Sequence, residues 1–169
     1  MAAFGGIAFA AAAGLGLRIY LGRAVEDRAG AGEIVDFHAR GSAGRHNVFA
    51  MCPPGFCTPP ADATSPVFAM RWERLRAYWG EVIAAQNDLV LAASDDSGRR
   101  FTYIQRSPVL RFPDIVNVEF IALGEGASTL AIDSRSRYGR GDFGVNRRRV
   151  EAWMALLRRM MRDGQERPS

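Results

Sequence analysis

Ser134-Arg135-Ser136-Arg137-Tyr138-Gly139-Arg140-Gly141-Asp142-Phe143-Gly144-Val145-Asn146-Arg147-Arg148-Arg149-Val150 is the stretch from which the fold of this chain is read. It reads as a strand end, a glycine-rich turn and the start of a long helix. Gly139 and Gly141 favour the sharp turning and positive φ that end regular structure. Asp142 then stands at an N-cap position, its carboxylate placed to accept the free N–H groups of the first helical turn. Upstream, residues 128–137 alternate as a strand does. Leu130, Ile132, Ser134 and Ser136 share one face; Asp133, Arg135 and Arg137 share the other. Downstream, Val150, Trp153, Met154, Leu157, Met160 and Met161 form the apolar stripe of a helix over residues 143–162, with Arg148, Arg149, Arg158, Arg159 and Arg162 largely off that stripe.

Working outward, residues 115–123 form the partner strand, joined through Gly124-Glu125-Gly126-Ala127 in a hairpin-like connection. In residues 101–107, Phe101, Tyr103 and Gln105 alternate with Thr102, Ile104 and Arg106. Pro113 is barred from a mid-sheet position because it lacks an N–H. A short strand over residues 89–92 ends before the turn Ser94-Asp95-Asp96-Ser97-Gly98. Residues 72–86 repeat Trp72, Leu75, Trp79, Val82 and Ile83 at three- and four-residue spacing, which predicts a helix whose tryptophans belong to a core. Residues 67–70 read as a short first strand. The expected fold is α+β: an antiparallel sheet of four or five strands with both helices on one face, preceded by an N-terminal transmembrane-type helix.

That last element rests on residues 2–21, twenty residues interrupted only by Arg18 and rich in alanine and glycine. The length suits a membrane-crossing helix with Arg18 reaching the interface, and the small residues suit close packing against another membrane helix. No basic segment precedes the apolar run and no lipobox-type cysteine follows it, so residues 1–22 read as an uncleaved anchor, with a cleaved signal or a wrongly called start codon as the alternatives. Residues 23–66 are rich in Gly, Ala, Ser and Pro and read as a tether, with short ordered pieces at 35–39 and 47–51. The α+β domain then spans residues 67–162, and 163–169 form a frayed tail. Arg18, Arg23 and Arg28 argue for a cytoplasmic domain by the positive-inside rule. The cysteines argue for an extracytoplasmic one.

Cys52-Pro53-Pro54-Gly55-Phe56-Cys57 contains both cysteines of the chain, closed around a Pro-Pro-Gly turn. A local disulfide there contributes about 2 kcal/mol by chain entropy, pinning a loop rather than holding up the fold. Two other readings stand beside it: free thiols, and a zinc site with His38 and His46, though the spacing fits no standard finger or ribbon.

Composition sets the remaining bounds. The chain has 169 residues, enough for one domain with appendages, and its 22 basic residues are all arginine. Residues 135–169 carry ten arginines against four acids, while the remainder carries twelve against fourteen. A basic C-terminal end suits anionic headgroups, phosphates or an acidic partner, and equally a solvated helix face.

The opening stretch, with Tyr103-Ile104-Gln105-Arg106-Ser107 and Phe112-Pro113-Asp114, resembles the signature of the family catalogued as domain of unknown function 1499. That family carries a similar Arg-Ser-x-Ser-Arg-x-Gly…Asp-x-Gly-Val-Asn-x-x-Arg-Val run. The resemblance covers about residues 49–157 and is sharpest over 100–157. The Phe-Pro-Asp form is similar to that of alphaproteobacterial members, with Arg111 and Ile115 where those often have Gly and Tyr. Similar proteins often carry a Cys-Pro…Cys pair just upstream, so the resemblance implies the disulfide between Cys52 and Cys57. It implies no activity, cofactor or catalytic residue.

The residues themselves offer little to catalysis. Lysine is absent, both histidines lie in the tether, and no phosphate-binding glycine loop follows a strand. No metal or cofactor is expected, nor nucleic-acid binding, for which no motif exists. The stronger idea is recognition of an anion or partner by Arg106, Arg135, Arg137, Arg140 and Arg147 at the strand–turn–helix corner. Against it stands a structural reading, in which Arg135 and Arg137 pair with Asp114, Asp133 and Asp142 to lock the corner and Asn146 hydrogen-bonds locally. The expected function is a membrane-anchored, periplasm-facing, non-catalytic accessory subunit of an integral membrane complex, contacted through residues 2–21. The alternatives are a binder of an anionic small molecule or lipid headgroup, and an unrecognised envelope enzyme.

Overall fold

The computed structural model describes residues 34–40, 47–107, 112–138 and 141–165. The elements in chain order are β1 (Val48–Cys52), β2 (Ala63–Thr64), α1 (Trp72–Ala84), β3 (Leu89–Ser94), β4 (Arg100–Arg106), β5 (Pro113–Ala122), β6 (Ser128–Ser136) and α2 (Val145–Gln165). A single 3-10 turn, Phe37–Ala39, precedes them. The sheet has six strands in the order β2-β1-β6-β5-β4-β3. β2 runs parallel to β1, and every other neighbouring pair is antiparallel. The sheet is therefore mixed and wider than the antiparallel four or five strands expected.

The extra width comes from the stretch read as a tether. β1 pairs with β6 from Val48 opposite Arg135 to Met51 opposite Ile132. Its residues Val-Phe-Ala-Met-Cys are apolar without alternation because both sides of this strand are buried. Phe49 and Met51 join the core beneath the helices, and Cys52 joins a second core on the opposite face. Residues 67–70 form no strand; Phe68 makes an isolated bridge to Ser128, whose hydroxyl also donates to the Met70 carbonyl at 2.7 Å. Pro113 opens β5, a position where its missing ladder N–H is tolerated.

Both helices pack on one face. Leu75, Trp79 and Val82 of α1 and Val150, Trp153, Met154 and Leu157 of α2 cover Tyr103, Val116, Val118, Phe120, Leu130 and Ile132. Trp79 stands edge-on to Trp153 at 5.8 Å and to Phe120 at 6.5 Å, the geometry that opposed ring quadrupoles favour. The Trp153 indole N–H donates to Gln86 Oε1 at 2.9 Å, satisfying its polar edge at the end of α1. The other face is covered by Phe37, Cys57 and Phe56 over Cys52, Ala131 and Ile121. Two backbone hydrogen bonds, Arg40 N–H to Thr58 O and Thr58 N–H to Phe37 O, each 3.0 Å, stitch this cover together.

The expected N-terminal membrane helix, residues 1–22, lies outside the described residues. Among the described residues no helix is long and apolar enough to cross a membrane.

Candidate functional site

The strand–turn–helix corner is built around Asn146, which is fully buried in the first turn of α2. Its Nδ2 donates to Asp142 Oδ2 at 2.7 Å, Asn47 O at 3.0 Å and Ser136 Oγ at 3.1 Å. Its Oδ1 accepts from Ser134 Oγ and from Arg149 Nη1, both at 2.7 Å. One side chain thereby ties β6, the segment entering β1 and the helix start. Asp142 caps the turn as expected, accepting from the Gly144 and Asn146 N–H groups at 3.0 and 2.9 Å. Burial pushes the Asp142 carboxyl up, but these N–H groups and the Asn146 amide outweigh it and hold it below its ordinary range.

The helix itself begins at Val145 rather than Phe143. Phe143 and Gly144 both have positive φ, 50° and 74°, which no right-handed helix accommodates. Arg148 Nη1 donates to the Phe143 carbonyl at 2.9 Å and fixes the turn from the helix side.

The arginines divide between the two faces of the sheet, because consecutive strand residues point opposite ways. On the helix face, Arg149 meets Asp114 in a close ion pair and also donates to Ser134 Oγ at 2.9 Å. On the other face, fully buried Asp133 receives Arg135 Nε at 2.6 Å and Arg40 Nη1 at 2.9 Å. Arg40 also donates to Pro59 O at 2.6 Å. Arg106 ends β4 on the Asp133 face, nearly buried. Arg137 is exposed just beyond β6, with its backbone N–H on Pro113 O at 3.3 Å. Arg147 extends over the Phe49 ring at 4.9 Å and approaches Glu151 at 3.6 Å. Arg140 lies outside the described residues. The structure brings Arg135 to Asp133 but joins Asp114 to Arg149, and Asp142 serves the helix backbone.

Arg40 and Arg149 were not singled out by the sequence reading. Arg149 had a readable signal, since it lies three residues after Asn146 and so on the same helix face. Arg40 had none, being 93 residues from Asp133 in sequence.

Cys52 and Cys57 form a disulfide at the end of β1, with Cα atoms 6.1 Å apart. Bonded to each other, they leave no thiolate for the zinc alternative. His38 packs against the Phe56 ring at 4.6 Å instead, and His46 lies outside the described residues. Among the described residues, no three His, Cys, Asp or Glu gather around a metal-sized space. An open groove of about 430 Å³ lies between the helices, lined by Arg74, Tyr78, Glu81, Met160, Asp163 and Gly164 among others. It is remote from the corner, since fourteen residues of helix separate Asn146 from Met160, about 21 Å.

Fold and site together define a single mixed-sheet α+β protein whose corner aspartates engage arginines and helix N–H groups. The profile of the family described as Protein of unknown function (DUF1499) matches residues 53–157, and the chain belongs to that family. No curated protein and no solved structure matches it.

Proposed function

We propose that this protein is a non-catalytic module held at the envelope membrane by residues 2–21, with its domain on the periplasmic side, and that it acts as an accessory subunit of a membrane complex. The observation carrying this reading is the engagement of the corner's carboxylates. Asp114 and Asp133 are each bound by guanidinium groups and lie on opposite sides of the sheet, so they form no acid–base pair. Arg135 and Arg149, the cations best placed to grip a small anion, hold these carboxylates instead. Such a corner fixes the relation of β1, β6 and α2 and presents a rigid outer surface. The disulfide supports an oxidising compartment, where such bonds persist.

The test is a gentle-detergent pull-down from the native host, comparing the full chain with a version beginning at Arg23. A stoichiometric membrane complex that accompanies only the full chain is the expected outcome. Recovery of both versions alone defeats the accessory-subunit reading.

A further inference from the structure

The corner carries a surface that its internal bonds do not explain. Phe143 has 93% of its surface exposed, on a backbone with φ of 50°. A bulky aromatic residue rarely occupies the left-handed region, where its Cβ crowds the backbone, and such outliers concentrate at working surfaces. Here the conformation is held from both sides. The Asp142 carboxylate grips the next two free N–H groups, at Gly144 and Asn146, and Arg148 grips the Phe143 carbonyl. Beside it, on the same end of the sheet, Val145 is 40% exposed, and Phe112 and Tyr138 pair with ring centroids 5.9 Å apart. The turn lies in a basic stretch of sequence, in which Arg135 and Arg149 are held by Asp133 and Asp114 and Arg147 approaches Glu151. Residues 134–150 contain six arginines and one acid, and that acid, Asp142, is turned inward to the helix start. Arg137, Arg147 and Arg148 are exposed.

Aromatic residues amid arginines are the composition that settles at a bilayer interface, the rings entering the headgroup boundary and the guanidinium groups meeting anionic lipid. An acidic protein would match the charge, but an almost fully exposed ring on a tight turn offers a protruding tip rather than a docking face. We propose that the Phe143 turn is a membrane-contact tip that seats on the anionic lipid surface beside the anchor, orienting the domain against the bilayer. This rests on the membrane-held reading above. It makes the corner a second, weaker contact that sets the pose of the domain rather than its retention at the membrane.

The test places the full chain in lipid nanodiscs, either phosphatidylcholine alone or with an equal share of phosphatidylglycerol, the phosphatidylcholine having brominated tails in both. Phe143→Trp supplies the probe, with wild-type emission subtracted. A blue shift and loss of the added emission in phosphatidylglycerol discs, reversed by high salt and weaker in phosphatidylcholine, is the expected result. An added tryptophan that stays red and unquenched in phosphatidylglycerol discs overturns the proposal, as does one shielded only by a co-purified protein. Co-elution with phosphatidylcholine discs reads the anchor separately, so a tethered chain whose added tryptophan stays exposed would refute the tip alone. Co-elution with phosphatidylglycerol discs only, lost in Phe143→Asp, would refute the anchor and keep the tip; co-elution with neither would refute both. Should the tryptophan variant misfold, amide exchange across residues 141–145 of the wild type gives the same answer, slower in phosphatidylglycerol discs if the tip seats and unchanged if it does not.

Discussion

At Phe143 the backbone adopts a conformation that glycine reaches without cost from a Cβ. Relieving the left-handed strain is worth about 1–2 kcal/mol, and the freer unfolded chain of a glycine variant returns about 0.5–1 of it. Phe143→Gly is therefore expected to stabilise the protein by roughly 0.5–1 kcal/mol, read as a higher urea midpoint, while removing the lipid contact. A ring that served packing would give the opposite sign. Asp142 gives a second residue-scale expectation. Its folded pKa lies below the ordinary value of 3.8, so its stabilisation is complete above that value and is lost as pH falls through the folded pKa. Asp142→Asn keeps a capping side chain but not the charge. Its urea midpoint is expected to trail the wild type at pH 6 and to close on it as pH falls below 3.8 (a gap constant with pH would sink this). Glu119 opposes the trend, because burial raises its carboxyl and Arg100 only partly restores it. Glu119→Gln should therefore make the loss of stability on acidification steeper.

Among the elements, β1 and its disulfide matter beyond their length. Cys52 is 2% and Cys57 8% exposed, both within the second core. Reduction is expected to lower stability by about 2 kcal/mol from loop entropy alone, with the urea midpoint falling in dithiothreitol and unchanged by it in a Cys52→Ala/Cys57→Ala variant. The two edges of the sheet are blunted differently. β2 has only two residues, and β3, with Val90 and Leu91 exposed, is interrupted by a bulge between Leu91 and Ala93. Short and bulged edges resist pairing with a second sheet. That leaves the corner tip, rather than an edge strand, as the surface suited to contact.

For the whole molecule, the fold is larger than the family's matched region. That region begins at residue 53, whereas β1, Arg40 and Phe37 lie before it. A fragment of residues 53–169 would leave Asp133 without Arg40, β6 without its β1 partner and the second core without Phe37. Asp133 would keep Arg135 but lose the more buried of its two guanidinium partners, and with a whole strand gone from the sheet the loss is a large share of a domain's stability. That fragment is expected to lack near-ultraviolet dichroism, and a chain from residue 34 to retain it; a folded 53–169 fragment would contradict this account. The sequence by itself determined what depends on neighbours along the chain: the Trp72–Ala84 helix from its three- and four-residue spacing, the β5–β6 hairpin from its alternation, and the Asp142 cap from its place after Gly141. The hidden part was non-local. Val48–Cys52 is buried on both sides, which erases the alternation that marks a strand. Arg149, three residues past Asn146, was half legible; Arg40 was not, since only folding brings it to Asp133. The tertiary structure alone decided which arginine meets which aspartate. Alternation assigns each strand residue to a face, but the partner that waits there comes from another element, and no local spacing encodes it.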